Sequence, residues 1–242
     1  MNRIVYMVLR NFYRAPYWFL KICSFCRESD THTEEQRYEF LSRMIRKINH
    51  SGRVTVKSRG AENLPQKDGF ILFPNHQGLF DSLALFETCP RPFGIVIKKE
   101  ASNWVLVKQV IQAIKGIVID REDIKSSLEV IRQVTEEVKK GRNFVIFPEG
   151  TRSREGNTLL PFKGGTFKSA VNARCPIVPV ALIDCYKPFD IVSIRKETVQ
   201  VHYLDPIYPE EYAGMKTKDI AQMVHDRIQE RILQVIQSEQ QS

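Results

Sequence analysis

The chain has 242 residues, 43% of them hydrophobic, with 12 Gly and 12 Pro; 36 Lys+Arg against 28 Asp+Glu give a formal net charge of +8. This composition excludes disordered and fibrous classes, and five cysteines are too sparse for a disulfide scaffold and point to a reducing compartment. No run approaches the roughly 20 uninterrupted apolar residues of a bilayer span, which excludes a polytopic membrane protein, while the basic surplus calls for an anionic partner.

Residues 1–27 carry five basic side chains (Arg3, Arg10, Arg14, Lys21 and Arg27) and no acidic one. These cations interrupt the apolar stretch, and no continuous core with a small-residue cleavage site marks a signal peptide. At about 100° per residue, Arg3, Arg10, Arg14 and Lys21 fall within an arc of about 40°. Ile4, Val8, Phe12, Phe19 and Ile22 lie across the broad apolar face. The pattern predicts one interfacial helix over residues 3–21 resting on an anionic membrane surface, with Pro16 its weak point. Cys23 and Cys26 sit three apart, a spacing that packing on a helix face explains without redox or zinc chemistry.

Glu28–His32 reads as a polar turn. Thr33 and Gln36 then have the spacing of a capping box, opening a helix to about Asn49 with Tyr38, Leu41, Ile45 and Ile48 on one face. Arg37, Arg43, Arg46 and Lys47 are expected on its solvated face. Residues 1–50 are therefore read as a helical hairpin that precedes a main domain over residues 51–242.

From Val54 onward, short apolar runs alternate with helical patterns. The runs are 69–73, 94–97, 116–119, 143–147, 177–182 and 199–203. Strands separated by helices imply crossovers, hence an α/β fold with a mostly parallel sheet flanked by helices. Ligands in such sheets collect beyond the carboxyl ends of the strands, so polar residues just after each run are the candidates.

His76 follows the first run in Phe73-Pro74-Asn75-His76-Gln77-Gly78-Leu79-Phe80-Asp81. If the loop folds back, Asp81 fixes the imidazole tautomer and leaves the other ring nitrogen to accept a proton. Alternatively, a carbonyl satisfies His76 and Asp81 merely caps the next helix. Lys98-Lys99-Glu100 and the Asp120-Arg121 pair end two further runs. A helix carrying Ile124, Leu128, Ile131, Val134 and Val138 should stop at Gly141.

The run through Phe147 ends in Pro148-Glu149-Gly150-Thr151-Arg152-Ser153, which puts a carboxylate, a glycine, a hydroxyl and a guanidinium in one loop. Arginine binds phosphate bidentately, and amides near Gly150 add donors. Cations at several strand ends suggest a converging anion site. His202, between apolar Val201 and Tyr203, reads as structural. A last helix spaces Ile220, Val224, Ile228, Ile232 and Ile236 by four, and Gln237–Ser242 reads as a disordered tail.

Taken in order, His76-x-x-x-x-Asp81, Gly116–Arg121, Phe147–Ser153 and Val178–Ala181 resemble the four sequence blocks of the 1-acyl-sn-glycerol-3-phosphate acyltransferase family. The resemblance covers roughly Val54–Tyr203 and selects the paired reading of His76 and Asp81. One departure is Gly78, where that family more often has Ser. The resemblance implies transfer of a fatty acyl group from acyl-CoA or acyl carrier protein to the sn-2 hydroxyl of lysophosphatidate, giving phosphatidic acid at the cytoplasmic face of a membrane. His76 would be the base and Asp81 its orienting partner. Arg121 and Arg152, with Lys99, would hold the phosphate, while Glu149, Gly150 and Thr151 would shape the glycerol pocket. The donor is a substrate, so no cofactor, metal site or nucleic acid is expected. The alternatives are another phosphorylated acceptor, an acyl thioesterase and a non-catalytic lipid-binding protein.

Overall fold

The computed structural model describes residues 1–27, 31–102, 106–120 and 123–241. Arg121 and the predicted Glu28–Asp30 part of the polar turn therefore lie outside the described residues. Seven strands form one sheet: β1 Val54–Arg59, β2 Ile71–Pro74, β3 Gly94–Lys98, β4 Ile117–Ile119, β5 Phe144–Val145, β6 Ile177–Ile183 and β7 Glu197–Tyr203. Their order across the sheet is β1-β7-β6-β2-β5-β3-β4. Neighbouring strands are parallel except β6 and β7, which run antiparallel. The predicted α/β class holds. The first strand was not among the predicted runs, because alternation with Thr55, Lys57 and Arg59 leaves it no continuous apolar stretch.

The helices are α1 Arg3–Asn11, α2 Ala15–Phe25, α3 Glu34–Ser51, α4 Asp81–Thr88, α5 Lys99–Ser102 and α6 Val107–Ala113. They continue with α7 Ile124–Lys139, α8 Lys168–Ala173, α9 Lys187–Asp190, α10 Pro209–Tyr212 and α11 Thr217–Gln240. Alternation in the central strand sends Leu72 to one face and Ile71 and Phe73 to the other, all fully buried. One face packs with apolar residues of α1–α4, and the other with α7, α8 and α11. The capping box at Thr33 forms as predicted, with reciprocal bonds to Gln36. Past the end of α7, Gly141 takes a φ of +90°, the left-handed conformation a helix stop favours.

Four sequence expectations are corrected. The single helix over residues 3–21 is two helices, because the chain breaks between Asn11 and Ala15, ahead of Pro16 in the first turn of α2. Arg3 does not join a basic stripe: it is 1% exposed, and its guanidinium donates to the carbonyls of Pro188, Gly52 and Arg195 at 3.1, 2.8 and 2.8 Å. Arg37 is likewise buried rather than solvated. Finally, the predicted tail is helical through Gln240, since good helix formers extend α11 beyond its buried face.

Candidate active site

His76 stands two residues beyond β2, in a loop that closes on the first residue of α4. Its Nδ1 lies 2.7 Å from Asp81 Oδ2. The carboxylate also accepts from the backbone amides of Gln77, at 2.7 Å, and Gly78, at 3.0 Å, and is fully buried. A carboxylate has no proton to give, so Nδ1–H is the donor, which makes Nε2 the acceptor nitrogen of a neutral ring. The imidazole retains 21% exposure, enough to meet a solute, and its other face lies against the Phe147 ring with centroids 4.2 Å apart.

The backbone of His76 is fixed from the second loop. Its N–H donates to Glu149 Oε1 at 2.8 Å, and its carbonyl accepts from Ser153 N–H at 2.9 Å. Glu149 Oε2 accepts from Leu160 N–H at 3.2 Å, so this 2%-exposed carboxyl spends both oxygens on backbone amides. Gly150 turns the loop with a φ of +73°, and Thr151 is exposed at its tip. Arg152 is half-buried and immediately precedes the residue bonded to His76. The structure thus brings His76, Asp81, Glu149, Gly150, Thr151 and Arg152 together. Lys99 lies further along the same edge, beyond β5, exposed and 3.2 Å from Asp120.

Burial pushes the Glu149 carboxyl up to about 7 against the two amides that favour its ionised form. Between pH ~4.5 and ~7 the folded chain holds a proton that the unfolded chain has lost. This stabilisation is complete below the unfolded value and disappears as pH rises through 7. Relative to Glu149→Gln, the wild-type unfolding free energy should fall by ~3 kcal/mol between pH 5 and 8. Denaturant titrations of both proteins measure this; parallel pH profiles would contradict it.

Spacing did not reveal the residues that brace the loop. Gln77, 1% exposed, donates to Gly156 O at 3.1 Å and Asn157 Oδ1 at 2.8 Å, and accepts from Cys185 N–H at 2.8 Å. Asn75 exchanges two hydrogen bonds with the backbone of Leu182. At Gly78, a Cβ would lie 3.3 Å from Tyr186 Cα, so this loop closes more tightly on the β6 end than a serine favours. His202 is buried beside Gln200, and desolvation holds it down to about 4, in keeping with a neutral structural role.

A family model described as Acyltransferase matches residues 55–183, more than half of the chain. The chain belongs to the Acyltransferase family. Both loops of the candidate site of this acyltransferase fall inside the match. It is 32% identical over 179 residues to a 1-acyl-sn-glycerol-3-phosphate acyltransferase of Limnanthes douglasii, covering 72% of this chain and 62% of that one. A 1-acyl-sn-glycerol-3-phosphate acyltransferase alpha of Ovis aries is 29% identical over 205 residues, covering 83% and 69% respectively. The chain thus spans about two thirds of the length of these relatives. The crystal structure of the 1-acyl-sn-glycerophosphate (LPA) acyltransferase PlsC from Thermotoga maritima superposes with a TM-score of 0.77, at 20% identity, over 97% of this chain and 98% of that one. The acyltransferase shares that fold.

Proposed function

We propose that the enzyme transfers a fatty acyl group from an acyl thioester to the sn-2 hydroxyl of 1-acyl-sn-glycerol 3-phosphate, forming phosphatidic acid. The observation that carries the reading is the His76–Asp81 pair, at 2.7 Å, in an acyltransferase whose relatives bear that name. His76 Nε2 takes the hydroxyl proton as the oxygen attacks the thioester carbon. The tetrahedral intermediate then collapses, expelling the thiolate, and the imidazolium returns the proton to sulfur. Asp81 holds the tautomer and stabilises the imidazolium. Glu149 acts as a positioning residue through the His76 amide. Phe147, whose ring lies tilted against His76, also lines an apolar pocket of about 400 Å³ with Ile119, Leu128, Ile131 and Ile146, and this pocket suits the acyl chain.

Arg152 and the strand-end cations Lys99 and Arg121 are assigned to the acceptor phosphate, with Gly150 and Thr151 beside the glycerol. Arg152→Ala should remove roughly 1.5–3 kcal/mol of acceptor binding, raising acceptor KM about 10- to 100-fold while donor KM moves little. A panel of phosphorylated and neutral acceptors tests the assignment, because an equal loss with a neutral monoacylglycerol would refute a phosphate role. Thioester hydrolysis insensitive to lysophosphatidate would point to a thioesterase instead.

The acceptor is a lipid, and we assign α1 and α2 to a membrane leaflet, with the enzyme peripheral on its cytoplasmic face. No helix of the described residues is long and apolar enough to cross a membrane. Ten of the eighteen exposed large apolar side chains among the described residues lie within residues 1–20, including Phe12 at 68%, Leu20 at 67% and Val8 at 63%. Leu79 and Val192 add exposed apolar surface beside the catalytic loop and α9. Deleting residues 1–27 would uncover core, since Met7, Trp18, Ile22 and Phe25 are buried. Substitution is the better test: Val8, Phe12 and Leu20 all changed to Ser should weaken vesicle binding at least ~100-fold. Unchanged co-sedimentation would refute membrane seating.

A further inference from the structure

We propose that the cleft between α1 and the α3–β1 corner binds the phosphate of an anionic membrane phospholipid, as a second lipid site apart from His76. This rests on the reading of α1 as lying on the membrane. The cleft encloses about 1100 Å³ and is lined by Arg10, Arg14, Arg46, Lys47, His50 and Arg53. The one carboxylate lining it, Glu87, is half-buried and accepts from Asn49 Nδ2 at 2.6 Å. Among the described residues none of the five Arg and Lys side chains forms an ion pair. Five cations set against the single carboxylate of Glu87, which Arg46 and His50 already draw on, leave a net positive field complementary to a phosphate.

The cleft is built rather than incidental. A Cβ at Gly52 would overlap the Met7 side chain, so α1 settles directly on the end of α3. The next residue, Arg53, takes a φ of +60°, a conformation few residues other than glycine adopt. Its guanidinium stands 5.9 Å from the centre of the Tyr6 ring. Strain of this kind clusters at binding sites.

The wall opposite selects a lipid over free phosphate. Leu9, Phe12 and Tyr13 line the same cleft and are 58, 68 and 60% exposed, so headgroup charge and the start of an acyl chain are met together. Because β6 and β7 run antiparallel, β1 opposes β2, and Val54 at its start lies on the same sheet edge as His76. Both sites therefore open toward one leaflet. Three strand spacings, roughly 14 Å, separate β1 from β2, so one phosphate cannot occupy both.

The test compares binding to phosphatidylcholine vesicles with and without phosphatidylglycerol. A cation near an anionic leaflet changes partitioning about fivefold. Changing Arg10, Arg46, Lys47 and Arg53 to Gln together should weaken binding to the anionic vesicles at least ~100-fold and leave binding to neutral vesicles unchanged. Changing exposed Lys67, Lys139, Lys216 and Lys218 to Gln, which removes equal charge elsewhere, should have less than about threefold effect. Equal losses in the two sets would overturn the cleft site. Lys47→Glu alone, at an exposed position, should show at least about a fivefold loss and keeps the test decisive if the fourfold variant does not fold. Calorimetric titration with a short-chain, water-soluble phosphatidylglycerol should show one saturable site that survives Arg152→Ala and is lost in Lys47→Glu. The reverse pattern would place the lipid in the acceptor site and refute the proposal. Wild-type protein that binds neither vesicle would instead refute membrane seating itself.

Discussion

His76→Ala should lower acyl transfer by at least ~10²–10⁴-fold, the usual contribution of a positioned general base. The loss should fall on kcat, with both KM values little changed, because no step other than proton transfer is assigned to the ring. The fold should survive. Asp81 keeps its bonds from the Gln77 and Gly78 amides, and His76 remains held by the backbone through Glu149 and Ser153. What disappears is the contact with Phe147, worth about 0.5–1.5 kcal/mol for an aromatic pair. Steady-state kinetics and a thermal melt on one preparation separate the two effects. Substantial turnover in the folded variant would remove His76 as the base.

Asp81→Asn should be the more damaging change, since it strikes mechanism and fold together. The carboxylate accepts three N–H groups while fully buried. An amide offers one oxygen and sets an NH2 against a donor, so one buried donor loses its partner. That should destabilise the protein by ~1–3 kcal/mol. The imidazole would also turn to its other tautomer, with Nε2 carrying the proton, which should cost ~10³–10⁴-fold in kcat. A variant with normal kcat and a lowered melting point would make Asp81 structural only.

Much of the site was legible because its chemistry lies in short, contiguous segments. His76 and Asp81 are five apart, and Glu149–Arg152 follow one strand. What could not be read was who holds those segments in place. Asn75 finds its partner 107 residues along, and Gln77 finds Cys185 108 residues along, distances at which sequence spacing carries no information. The same holds for Arg3. Its phase agrees with Arg10 and Arg14, yet three carbonyls from distant parts of the chain turn it inward. Periodicity reports which face a residue occupies, and not which other part of the chain covers that face. The edge strand β1 was harder still, because pairing with β7 rather than an apolar run defines it.

The pairing of β1 with β7 has a consequence for how this chain is made. Val54 aligns with Glu197, and Arg3 binds the carbonyl of Arg195. At a synthesis rate of about 5–20 residues per second, the partner of β1 appears roughly 7–30 s after β1 itself. During that interval α1 lacks its anchor, because the Pro188 and Arg195 carbonyls that bind Arg3 have yet to be made. The nascent segment is at its stickiest before its own sheet exists. A chaperone or a nearby bilayer would shelter it in the meantime, and loss of that shelter should show as aggregation during translation even where the finished protein is stable.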